Sequence, residues 1–338
     1  MGKDNKKRVF SGLKPSGEVH LGNYIGAIKN WVSSQEKYDN IFCVVDLHAI
    51  TVKQEPKDLK RRTRELAAVL LASGIDAEKS TLFIQSRIPA HSELAWVLSC
   101  FIPMGWMEKM TQFKEKSEEG RERASVGLFD YPALMTADIL LYDTDIVPVG
   151  EDQKQHVELA RDVARRFNSI YGDTFKLPKA EVNKNAARVM GLQNPSKKMS
   201  KSEVGPPFGE AGDNNIIYFL DKPDDISAKI MKAETDSFNE VRFDTERPGV
   251  YNLLTVYESF SGLSRGDIET NFEGKGYAVF KKDLVKVVVE GLKPLQNKYK
   301  EIMKDPGYIE KVLEKGVEKA LPLAKKKLEA VKQAVGLG

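Results

Sequence analysis

Two short runs of residues carry most of the chemistry legible in this chain. Pro15-Ser-Gly-Glu-Val-His20-Leu-Gly-Asn23 lies near the N-terminus, and Lys198-Met-Ser-Lys-Ser202 lies far downstream. In the first, small residues at Ser16, Gly17 and Gly22 and the polar tips His20 and Asn23 precede a periodic run from Tyr24 to Val32. That pattern predicts a strand-to-helix turn whose backbone N–H groups can approach phosphate at a helix N-terminus. In the second, Lys197, Lys198 and Lys201 share a short loop with the hydroxyls of Ser200 and Ser202. Such a concentration of donors suits a polyphosphate from which pyrophosphate departs. Taken singly, each run has a commoner reading, since Pro-Ser-Gly is ordinarily a turn and a Lys-rich loop is ordinarily solvated surface.

The elements that must hold these runs alternate between strand and helix. Val9-Phe10 reads as a short strand, followed by the phosphate turn and a helix to about Lys37. Asn40 to Asp46 is an apolar run, and the polar helical stretch after it reaches Gly74, a residue suited to a helix C-terminal stop. Thr81 to Gln85 reads as the next strand, and further units end in Asp145 to Val149 and a helix from about Glu151 to Phe167. The alternation predicts an α/β fold with a Rossmann-like, doubly wound parallel sheet, where ligands bind at the carboxyl ends of the strands. Beyond Asn185 the pattern turns mainly helical and is broken by Gly and Pro, which predicts a second, helical domain. Near the C-terminus Lys325, Lys326 and Lys327 interleave with Leu323, Leu328 and Val331, the pattern of a surface helix.

Composition narrows the class without naming an activity. Lys and Arg total 52 against 49 acidic residues, so a polyanion would be held by local patches and not by a global field. Cys43 and Cys100 form no Cys-x-x-Cys pattern and read as buried, reduced thiols of a cytoplasmic protein. The four histidines, His20, His48, His91 and His156, include no His-x-x-x-His pair, which argues against a zinc hydrolase, and no dedicated metal ligands are expected. His91 and His156 read as structural. Met1 to Arg8 is basic with no apolar signal core after it, and no stretch approaches a membrane span.

The two runs, in this order, resemble the two signatures of class I aminoacyl-tRNA synthetases, the first in a His-x-Gly-Asn form. Val45-Asp-Leu-His48, Met110-Thr-Gln-Phe-Lys-Glu-Lys116, Ala137-Asp-Ile-Leu-Leu-Tyr142 and Asp145-Ile-Val-Pro-Val-Gly-Glu-Asp-Gln153 narrow the likeness to the bacterial-type tryptophanyl-tRNA synthetases over nearly the whole chain. The resemblance implies ATP-dependent activation of L-tryptophan, with Mg2+ bound through the phosphates, and transfer to tRNA(Trp). It implies a homodimer, with no DNA and no membrane as partner. It also implies a catalytic domain of residues 1–195 with helices 296–338 packing back on it, and a helical anticodon-binding domain over 196–295.

No protein nucleophile is needed for such a reaction, because joining a carboxylate to the α-phosphorus is a matter of positioning and charge stabilisation. By resemblance Lys14, Pro15, Ser16, His20, Gly22 and Asn23 hold adenosine and phosphates, and Val189 and Met199 belong to the same ATP site. Lys116, Lys198 and Lys201 grip the outer phosphates, aided by Ser200 and Ser202. Gly150, Glu151 and Asp152 take the ribose, although spacing alone makes Asp152 a helix-capping acid. Asp138 shares an otherwise apolar helical stripe with Tyr131, Leu134, Met135 and Leu141. Periodicity alone pairs such a carboxylate with a backbone or hydroxyl donor. The resemblance instead places it at the base of a tryptophan pocket with Phe10, His48, Tyr131, Met135, Val147, Val149 and Gln153. The tyrosyl branch shares the architecture but is disfavoured by Gly150-Glu-Asp-Gln153 and Asp138, and a catalytically silent RNA-binding paralogue by the intact ATP motifs.

Overall fold

The computed structural model describes residues 6–110, 125–182, 188–199 and 214–338. Its centre is a five-stranded parallel sheet of β1 (Arg8–Leu13), β2 (Asp39–Val44), β3 (Thr81–Ile84), β4 (Ile146–Val149) and β5 (Lys179–Val182), in the order β3-β2-β1-β4-β5. The chain winds outward from β1 in one direction and from β4 in the other, so the topological switch point lies between these two strands. Their carboxyl ends open into the crevice where open α/β sheets bind ligands. β1 is longer than the predicted Val9-Phe10, and β5 was not foreseen. Its alternating exposed and half-buried pattern marks an edge strand, which lacks a strong apolar signal.

The first crossover is a helix in three abutting pieces, Leu21–Asn23, a π-helical turn Tyr24–Ile28 and Lys29–Ser34, together α1. α2 (Pro56–Ala72) starts with proline at its first position and stops before Gly74, whose φ of 111° only glycine adopts without strain. α3 (Ala90–Ser99), the short α4 (Met104–Glu108) and α5 (Val126–Leu140) follow. The Ser125 side chain caps α5 by accepting from the Leu128 N–H at 3.1 Å. A turn of 3-10 helix at Glu151–Gln153 leads into α6 (Lys154–Tyr171). The remainder is helical as predicted: α7 (Pro223–Met231), α8 (Pro248–Ser261), α9 (Arg265–Phe272), α10 (Tyr277–Lys304) and α11 (Pro306–Val335). The domain boundary expected at residue 296 falls inside α10, which runs unbroken through it.

Alternation along the strands divides the interior into two cores. Phe42, Val44, Leu82 and Ile84 face one layer, built with α1, α2 and α7 to α10, while Phe10, Ile41, Cys43 and Phe83 face α3, α5 and α6. Each fully buried aliphatic or aromatic side chain contributes about 1.5–3 kcal/mol. α11 begins on the first core with Ile309 and Leu313 and ends on the second with Ala320, Ala324, Leu328 and Val331. It changes sides at the β3 edge, where a Cβ on Gly316 would overlap the Leu82 carbonyl oxygen. The predicted surface helix therefore has one buried face. Lys325 and Lys326 are exposed, but Lys327 pairs with Asp143 at 2.6 Å. Cys43 is buried as expected, whereas Cys100, at the C-cap of α3, is exposed. Among the described residues no helix is long and apolar enough to cross a membrane.

Candidate active site

The carboxyl end of β1 runs into Lys14 and Pro15, and that of β4 into Gly150 and Glu151, so both candidate nucleotide segments flank the switch point. The turn after Lys14 is tied down at its far end. Leu21 N–H donates to the Ile217 carbonyl at 2.9 Å, Phe219 N–H to the Val19 carbonyl at 2.7 Å, and His20 N–H to Asn23 Oδ1 at 3.3 Å. Gly22 leaves space for the His20 ring. A Cβ at that position would stand 3.0 Å from the imidazole and 3.6 Å from the Met199 Cβ.

Met199 brings the second signature to the first. Its side chain is buried in the same core as Leu21 and Ile25, its N–H donates to the Val189 carbonyl at 3.1 Å, and Gly191 N–H donates to the Lys197 carbonyl at 2.9 Å. The ammonium of Lys198 lies 3.6 Å from Asp152 Oδ1. Partial burial would raise the Asp152 pKa, but the Lys198 charge together with hydrogen bonds from Gln153, the backbone and Lys198 holds the carboxyl below its ordinary value. Three segments remote in sequence thus converge on one crevice. Lys116, Ser200, Lys201 and Ser202 lie outside the described residues. Gly22→Ala puts a methyl 3.0 Å from the His20 ring, which must give way, an overpacking that costs about 1–3 kcal/mol. The variant is expected to unfold at lower urea concentration and to raise KM for ATP more than KM for the amino acid. An unchanged midpoint together with an unchanged ATP KM would show that the turn tolerates the methyl.

Behind this crevice lies a buried carboxylate. Asp138, near the end of α5, is 1% exposed. Its Oδ2 lies 2.8 Å from His48 Nε2, and its Oδ1 takes Gln85 Nε2 at 2.7 Å and His91 Nδ1 at 2.6 Å. His48 arrives from the loop beyond β2 and Gln85 directly from the carboxyl end of β3. Gln85 is oriented by the Leu47 N–H, which donates to its Oε1 at 3.1 Å. Burial would push the Asp138 pKa up, but the hydrogen bonds and charges of His48 and His91 prevail and hold it well below the usual carboxylate range. The group is ionised, and it can accept a hydrogen bond from a polar ligand atom.

Two of the other predicted pocket residues, Phe10 and Tyr131, pack on side chains joined to this acid's hydrogen-bond network. Phe10 stacks on Tyr142 with centroids 5.7 Å apart, and Tyr131 places its ring 6.2 Å from that of His48. The Tyr131 hydroxyl lies 3.1 Å from His156 Nε2. Met135 and Val149 are half-buried and Val147 is buried, while Gln153 Nε2 donates to Asp152 Oδ2 at 3.3 Å. Gln85 and Tyr142 carry no site role in the sequence reading, and His91, read there as structural, hydrogen-bonds Asp138 directly. Only a polar residue at the carboxyl end of a buried strand hinted at Gln85. A cavity of about 360 Å3 lined by Lys60, Arg64, Arg87 and Glu310 opens beyond β2 and β3, and none of the predicted site residues line it.

Comparison with known proteins agrees with this geometry. The family described as tRNA synthetases class I (W and Y) matches residues 3–293. A tryptophan–tRNA ligase of Wolinella succinogenes is 57% identical over 98% of this chain and 99% of its own length. Among solved structures, tryptophanyl-tRNA synthetase from Mycoplasma pneumoniae superposes with a TM-score of 0.89 at 36% identity, over 98% of each chain. The Campylobacter jejuni enzyme, solved in complex with ADP and tryptophan, gives 0.82 at 38% identity, over 98% of this chain and 100% of that one. A Rossmann-type sheet with paired ATP signatures at its switch point is the frame of a class I aminoacyl-tRNA synthetase. The chain belongs to that family, and within it to the bacterial tryptophan–tRNA ligases.

Proposed function

We propose that the chain activates L-tryptophan with ATP to tryptophanyl-adenylate and then transfers it to the terminal 2′-hydroxyl of tRNA(Trp), releasing pyrophosphate and AMP. The reading is carried by the convergence of Gly22, Asp152, Lys198 and Met199 on one crevice, beside a buried ionised acid. The first signature and Gly150 to Asp152 hold the nucleotide, with Val189 against the base. Lys116, Lys198 and Lys201, with Ser200 and Ser202, stabilise charge on the departing pyrophosphate. Mg2+ enters on the phosphates and keeps much of its water. Asp138 accepts the indole N–H, and Phe10, His48, Tyr131, Met135, Val147, Val149 and Gln153 enclose the ring. ATP–pyrophosphate exchange with a panel of amino acids tests the reading, and exchange driven equally by tyrosine would overturn it.

Residues 1–195 and 296–338 form the catalytic part, and 196–295 the part that reads the anticodon, in a cytoplasmic homodimer. Phosphate contacts make tRNA binding weaken with salt. Anticodon substitutions are expected to cut tRNA charging while leaving pyrophosphate exchange at its native rate. Equal charging of an altered-anticodon tRNA would show that the helical part does not read it. For the dimer, Trp96 on α3, Met104 on α4 and Val126 at the start of α5 expose apolar surface on adjoining elements, with Trp96 73% exposed. Trp96→Asp is expected to shift the mass in sedimentation equilibrium from dimer toward monomer, and an unshifted dimer would place the contact elsewhere.

A further inference from the structure

The carboxylate of Asp138 offers about four lone-pair sites, and among the described residues three are filled. Gln85 and His91 occupy Oδ1, and His48 occupies one site of Oδ2. The remaining acceptor site is on Oδ2, and the indole ring has a single N–H. Because an ionised carboxylate only accepts, His91 Nδ1 must carry a proton, and in the neutral ring its Nε2, 2.8 Å from the Tyr142 hydroxyl, accepts the hydroxyl proton. Tyr142 is itself held in place, stacked on Phe10 and met edge-on by Phe83 at 5.9 Å.

Resting on the reading that Asp138 accepts the indole N–H, we propose that Gln85, His91 and Tyr142 are positioning residues for tryptophan specificity. Tyr142 fixes the tautomer and tilt of His91. His91 and Gln85 together saturate Oδ1 and stop the carboxylate from turning about its Cβ–Cγ bond. The open site of Oδ2 then stays aimed at the ligand. Without His91, the carboxylate rotates, and Gln85 and His48 take up the acceptor capacity that the indole N–H needs.

The test uses the full-length enzyme with tryptophan and with its benzothiophene analogue, in which sulfur replaces the ring N–H. His91→Leu is expected to lower kcat/KM for tryptophan by roughly 10- to 100-fold, the scale of one hydrogen bond to a charged group, with the loss in KM. The analogue, which donates nothing, loses no more than about threefold. His91→Asn, whose amide nitrogen can stand where Nδ1 stands, restores most of the discrimination. Equal losses for both substrates, or an Asn variant as poor as the Leu variant, would make His91 merely structural and overturn the proposal. Should His91→Leu fail to fold, Tyr142→Phe decides, because it preserves ring packing: discrimination reduced several-fold supports the proposal, and native discrimination refutes it. Asp138→Asn with the same two substrates separates the underlying reading. Discrimination that survives in Asp138→Asn removes the indole contact itself, whereas discrimination lost there but kept in His91→Leu removes only the positioning role.

Discussion

Asp138→Ala is expected to lower kcat/KM for tryptophan steeply and to narrow its advantage over phenylalanine. A site built to hydrogen-bond a polar substrate group can reject an analogue lacking it by about 10⁴–10⁵, and the acceptor is what this variant removes. From the sequence, the variant would be expected to leave the fold intact. The structure revises that expectation, because His48, His91 and Gln85 all lose their shared acceptor in a buried site. Each stranded buried donor costs about 1–3 kcal/mol, so a clear drop in thermal midpoint is expected alongside the kinetic loss. The drop should shrink in acid. With a folded pKa below the unfolded one, the stability from Asp138 is complete above about pH 4 and is lost as pH falls toward the folded value. Pyrophosphate exchange with both amino acids and melting curves at several pH values measure both effects. Undiminished discrimination would leave Asp138 a structural acid with the pocket elsewhere.

The second large effect is expected at Lys201. Met199 is locked into the core and Lys198 faces Asp152 across the crevice, so the second signature is delivered at its N-terminal end to the nucleotide segments. A cation two residues beyond Met199 can then follow the charge that develops on the leaving pyrophosphate. Removing one such stabilising group costs roughly 10²–10³ in rate. Lys201→Ala should lower the rate of adenylate formation in stopped-flow by that factor while tryptophan affinity hardly changes. A native rate would reduce this lysine to surface decoration.

The sequence by itself determined whatever depends on near neighbours along the chain. Small residues and polar tips ahead of an apolar period were enough for the turn entering α1, and apolar runs bounded by polar segments were enough for β2 and β3. The class of chemistry followed from the two signatures, because phosphate recognition needs backbone N–H groups and lysines whose types and spacing are visible in a linear string. β5 and the passage of α11 from one core to the other escaped, since an edge strand and a helix that crosses between cores carry mixed patterns. The surroundings of Asp138 were decided only by tertiary structure. Its donors lie 90, 53 and 47 residues away, on loops and helices that meet because the strand order places the ends of β2 and β3 beside α5. Periodicity could show that a carboxylate falls on an apolar face and must be paired. Which groups pair with it, and which lone pair they leave open, depends on long-range packing that no local pattern encodes.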